Sequence, residues 1–149
     1  MNIIYEFGLV YNEFNLPSVC ATNQHFIDDD FIGCPDDYAN LTDAIFSTSL
    51  FEEKLVCIFL LDEENEVHGL FRIEYFEGIN LQSVCQDIFT KILSTGFKKY
   101  VFVQRDPEWN WKITSKDEKM FIHLSKIGRA LNIQMMCYIF FGNGGIDYI

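Results

Sequence analysis

Tyr100-Val-Phe-Val-Gln-Arg-Asp-Pro-Glu-Trp-Asn-Trp-Lys-Ile-Thr-Ser-Lys-Asp117 decides the fold class. The stretch opens with a β-branched and aromatic run of strand character and passes through a polar loop. Thr114 with Asp117, or Ser115 with Glu118, then forms the Ser/Thr-x-x-acid pattern of a helix start. An amphipathic helix is expected over 115–130 and an apolar strand over 133–141. A strand, a helix and another strand in succession place a helix against a sheet.

The same alternation continues in both directions. Gly142-Asn-Gly-Gly145 turns the chain into a last strand at 146–149. Upstream, Asn80 can cap a helix that runs to about Thr95, with Leu81, Val84, Cys85, Ile88, Phe89, Ile92 and Leu93 at helical spacing. Gly96 stands where a left-handed residue ends it. Leu55 to Leu61 is a continuous apolar run, expected as a central strand covered on both faces. Asp62-Glu-Glu-Asn65 supplies turn chemistry, and Val67 to Phe76 returns as the second strand of a hairpin. Residues 3–11 read as a strand, and 12–34 as a long irregular stretch, either a loop covering the sheet or a flap. A helix starts at Cys34-Pro35-Asp36-Asp37, with Ala39, Leu41, Ala44, Ile45 and Leu50 on its apolar side. The fold class is α/β: one domain over 1–149, with a single mixed β-sheet flanked by helices.

Composition narrows the function. With 149 residues, 49% of them hydrophobic, and 15 Phe and 7 Tyr, the chain can fill one substantial core. A formal net charge of −11 works against nucleic-acid binding, which needs Lys and Arg to displace counterions. The short basic candidates, Lys98-Lys99 and Lys112 with Lys116 and Lys119, sit among acidic residues. Five cysteines without C-x-x-C spacing argue against a disulfide framework and against a zinc knuckle. Met1-Asn-Ile-Ile-Tyr-Glu lacks the basic start of a signal peptide, and Leu55 to Leu61 is too short to span a bilayer. A reduced, cytoplasmic protein without membrane association is expected. Asp28, Asp29, Asp30, Asp36 and Asp37 lack the ligand order of an EF-hand and read as a solvated acidic face. His25, His68 and His123 have no ligand spacing.

The stretch from Gln104 resembles the metal-site segment of RadC-like JAB domains (the JAMM/MPN type) with both metal-binding histidines replaced. In that family the pattern is His-x-His-Pro, with Ser eight and Asp eleven residues after the second His. Here the same spacing reads Gln104-x-Asp106-Pro107, Thr114, x-x-Asp117. Leu61-Asp62-x-x-Asn65-x-Val67, Glu77-Gly78, Leu131-Asn-Ile133 and Gly142-Asn-Gly144 resemble further landmarks, although the family's Asp-His pair near the end is Cys137-Tyr138 here. The similarity covers about 50–149, and the first 50 residues only by a weak pattern. It implies a JAB/MPN-like sheet in a cytidine-deaminase-like three-layer arrangement. It also implies a site for zinc-assisted hydrolysis, in which two His and one Asp hold the metal and a Glu serves as general base.

That site is degenerate in this chain. Gln104 offers a neutral amide where an imidazole stood, Asp106 takes the second His position, and Asp117 and Thr114 keep the third ligand and the hydroxyl. The Glu position falls on Leu70, Phe71 or Arg72, with Glu74 the nearest carboxylate. Helix capping explains Thr114 and Asp117 more simply than metal binding. Trp109 and Trp111 either fill the emptied cleft or anchor a partner. The leading expectation is a non-catalytic binding or regulatory module with no cofactor and an unidentified protein partner, with a homodimer also open. The alternative is a diverged metal-dependent hydrolase, peptidase-like or isopeptidase-like, with an oxygen-rich site at Gln104, Asp106 and Asp117. Mn²⁺, Mg²⁺ or Zn²⁺ would then be the metal.

Overall fold

Leu55–Leu61, strand β3, is buried along its whole length, and the rest of the fold is arranged around it. The computed structural model describes residues 2–46, 55–73, 81–106, 112–142 and 145–149. Before β3 come β1 (Asn2–Tyr11), β2 (Pro17–Ile27) and helix α1 (Pro35–Phe46). After it come β4 (Val67–Ile73), α2 (Leu81–Thr95), β5 (Lys99–Arg105), α3 (Ser115–Leu131), β6 (Gln134–Gly142) and β7 (Gly145–Tyr148). The strands form one seven-stranded sheet in the order β2-β1-β4-β3-β5-β6-β7. The sheet is mixed: β1 runs parallel to β4 and β5 parallel to β6, while the other neighbours are antiparallel.

Alternation along β3 sends side chains to two separate cores. Leu55, Cys57, Phe59 and Leu61 pack with Tyr38, Leu41 and Phe46 of α1. Val56, Ile58 and Leu60 pack with Val84, Ile88 and Ile92 of α2 and Leu124 of α3. Among the described residues, one helix therefore covers one face and two helices cover the other, a three-layer α/β arrangement. Burial pushes the Cys57 thiol up to about 12, so it behaves as a small hydrophobe at neutral pH. Arg105 reaches from β5 to Asp43 of α1 at 3.0 Å and ties that helix to the sheet.

Where the described residues carry them, the capping and turn expectations agree with the structure; Asn143 and Gly144 of the last turn lie outside those residues. α1 carries Asp36 and Asp37 in its first turn, and the Asp37 carboxylate accepts from the amides of Ile32 and Gly33 at 2.8 and 3.1 Å. Gly96 has φ +80° just after α2. At Gly69 the lack of a side chain is a packing requirement, since a Cβ there would lie 2.2 Å from Phe7 Cε2 and 2.9 Å from the Tyr5 carbonyl oxygen. That bare position lets β1 lie against β4 through the pairs Tyr5↔Gly69, Glu6↔Leu70 and Phe7↔Phe71.

Several expectations need correction. The stretch read as irregular over 12–34 contains β2, an eleven-residue strand antiparallel to β1. Its cue was weak because most of β2 is exposed, so no apolar alternation is required; backbone pairing with β1 holds it in place. Ala44 and Leu93 were assigned to apolar helix faces, but Ala44 is exposed and Leu93 is 56% exposed. α1 ends at Phe46, and Leu50 lies outside the described residues, as do Asn80 and the stretch 74–76. Among the described residues, no helix is long and apolar enough to cross a membrane.

Candidate functional site

Thr114 and Asp117 build the start of α3. Thr114 has extended backbone (φ −96°, ψ 172°), its hydroxyl oxygen accepts from the Asp117 amide, and its own amide donates to Asp117 Oδ2 at 2.9 Å. This reciprocal box satisfies amides that no helical turn precedes. Replacing Thr114 by alanine should cost about 1 kcal/mol of stability. Chemical denaturation would show a lower midpoint at unchanged slope; an unchanged midpoint would mean that the box contributes nothing.

Packing of α3 over the sheet carries this helix start to the end of β5. Gln104 and Asp106 there are 9% and 6% exposed. The parallel register places Tyr138 of β6 beside Phe102, two residues before Gln104, on the face that α3 covers. Tyr138 is fully buried, its ring stacked on Phe102 with centroids 4.6 Å apart and an interplanar angle of 8°. Phe121 of α3 meets the same ring edge-on at 6.2 Å. The hydroxyl lies 3.3 Å from Gln104 Oε1 and 3.4 Å from Asp117 Oδ1, and its single proton serves one acceptor or is shared by both. The structure thus brings together Gln104, Asp117 and Thr114, with a tyrosine hydroxyl joining the first two.

Chemically this is a hydrogen-bonded closure more than an open ligand set. One Asp117 oxygen faces the Thr114 amide and hydroxyl, and the other faces Tyr138. A neutral amide oxygen and a carboxylate engaged on both oxygens fit zinc poorly. Of the three positions considered for the general base, Leu70 faces the α1 core and Arg72 lies over the Phe46 ring at 5.0 Å. Phe71 faces the α2 and α3 side, and its ring can neither take nor give a proton. Glu74, Trp109 and Trp111 lie outside the described residues.

Two features elsewhere were not anticipated. Asp62, Glu66 and His68 converge at the β3–β4 turn, with ligand atoms within 4.8 Å of one another. Their i, i+4, i+6 spacing across a hairpin turn was the available signal. Asp62 already works locally: Oδ1 accepts from the Glu64 and Glu66 amides, and Oδ2 lies 2.7 Å from His68 Nε2. The His68 contact, with help from the Glu66 amide, holds the Asp62 carboxyl below its ordinary range. The second feature is a cleft of about 860 Å³ at the opposite end of β5 and β6, lined by residues including Phe97, Lys98, Lys99 and Arg129. It lies away from the Gln104 end of β5, and Lys99 there already donates to the Glu63 carbonyl and to Asn65 Oδ1 at 3.1 Å each.

No protein-family model matches the chain, and a search of curated proteins gave no significant match.

Proposed function

We propose that this chain is a non-catalytic domain of the RadC-like JAB type, kept as a protein-binding or regulatory module after loss of its zinc site. The supporting observation is the Tyr138 hydroxyl within 3.3 and 3.4 Å of Gln104 and Asp117, the positions of the first and third metal ligands. Internal hydrogen bonds there replace the open coordination position that metal-assisted hydrolysis needs. A mixed sheet with helices on both faces also accords with the three-layer arrangement that the resemblance implies. A cytoplasmic setting and an unidentified protein partner belong to the same proposal.

A second reading keeps an oxygen-rich metal at Gln104, Asp106 and Asp117, favoured by the burial of Asp106 beside Gln104. Metal analysis of protein purified without chelator separates the two, together with thermal unfolding in Zn²⁺, Mn²⁺ or Mg²⁺ and in EDTA. The module reading predicts no stoichiometric metal and a midpoint that none of these ions shifts. A ligand at 100 times its dissociation constant would instead add about 2.7 kcal/mol. A near-stoichiometric metal whose shift is lost in both Asp106→Ala and Asp117→Ala would establish the hydrolase reading in its place.

A further inference from the structure

We propose that β2 is a self-association edge, through which two copies of this chain pair antiparallel about a two-fold axis and join their sheets into one. The sheet ends in β2 on one side and β7 on the other. β7 has four residues and offers little to pair with, whereas β2 has eleven. Among the described residues, the outer side of β2 carries backbone groups that no neighbouring strand of the sheet satisfies, which is the template for strand addition.

Charge identifies the occupant. From Phe14 to Ile27 there is no Asp, Glu, Lys or Arg, in a chain that has 33 of them. The other long uncharged run, 130–146, carries β6, whose second half is buried, and burial accounts for its composition. β2 is mostly exposed in the single chain, so burial there does not. A second copy carrying a net charge of −11 is repelled by most of this surface, and a neutral edge is where two such copies approach without opposing like charges. A basic partner would gain nothing by choosing it.

The flanking surface is apolar to match. Ile3 and Phe26 are cross-strand partners, 43% and 62% exposed, and Tyr5, on the same face of β1, is 38% exposed. Phe14 and Leu16 in the adjoining turn are 74% and 58% exposed. The bulge between Glu6 and Phe7 interrupts the register but leaves extended segments on either side of it. A two-fold pairing is self-complementary, so each copy's exposed face extends the other's.

Sedimentation equilibrium on the full chain, from low micromolar to several hundred micromolar at physiological salt, tests this. A reversible dimer is expected, accompanied by amide exchange through 17–27 that slows as concentration rises. Gln24→Lys and Phe26→Ser should each weaken it by about tenfold or more, since edge lysines oppose strand pairing. Ile122→Lys, at a position on α3 that is 52% exposed, should leave it intact. Circular dichroism confirms that the variants fold, and the exchange measurement on the unaltered chain stands without them. A monomer at every concentration would overturn the proposal and leave the edge to a strand from a different protein. A dimer that persists in both β2 variants would overturn it equally.

Discussion

Truncating Tyr138 to alanine is expected to cost about 3–5 kcal/mol of folding stability. The midpoint of thermal unfolding should fall by roughly 6–20 °C, taking about 2–4 °C per kcal/mol for a domain of this size. The ring is fully buried, stacked on Phe102 and closed from above by Phe121, so its removal opens a cavity that β5, β6 and α3 cannot easily fill. Tyr138→Phe keeps the ring and removes only the hydroxyl that joins Gln104 to Asp117. It should cost about 1 kcal/mol, the usual net value of one hydrogen bond, with Gln104 left the poorer for it in a buried position. Scanning calorimetry on the two variants separates packing from hydrogen bonding. A Tyr138→Phe loss as large as that of Tyr138→Ala would mean that the hydroxyl, not the ring, holds this region together.

Phe59→Ala should be comparably damaging, also at about 3–5 kcal/mol. Phe59 is fully buried at the middle of the central strand, with the Tyr38 ring of α1 at 5.3 Å. For a domain whose whole stability is of the order of 5–15 kcal/mol, such a loss is about a fifth of the total at the least. Leu93→Ala is the informative companion, because helical spacing puts Leu93 with the core residues of α2 while the structure leaves it 56% exposed. Its cost should stay within about 0.5 kcal/mol. Urea denaturation of the two variants would show a large drop in midpoint for the first and almost none for the second; the reverse order would contradict the packing of both helical layers.

Much of the fold was legible because it rests on local rules. Leu55–Leu61 reads as a strand covered on both faces because nothing in it is polar, and it is buried throughout. Thr114 and Asp117 announce a capping box three residues apart, and the box forms. β2 was hidden because an exposed edge strand needs neither alternation nor apolar runs, only a neighbour's backbone. Leu93 was misplaced because a run of apolar residues wider than the buried stripe gives no sign of which member faces water. In the site, Gln104 and Asp106 stand where the RadC-like pattern has histidines, and that resemblance is what made weakened zinc ligation the expectation. Tyr138 was visible as the residue standing in a family His position, but its contact with both Gln104 and Asp117 depends on strand register and on how α3 lies over the sheet, neither of which is encoded locally.

The narrow seam between β1 and β4 has a bearing on aggregation. Among the described residues, three pairs join those strands, made possible by Gly69, while ten hold β1 to β2. Without the hairpin, β4 would be the edge of the sheet, and its Leu70, Phe71 and Ile73 are almost wholly buried. An apolar strand at an open edge invites uncontrolled strand addition. The hairpin moves that edge outward to β2, where, in the dimer proposed above, a second copy closes it. Residues 2–27 therefore act as a built-in guard over a sheet that would otherwise be sticky, with Gly69 as the point at which the guard is fastened.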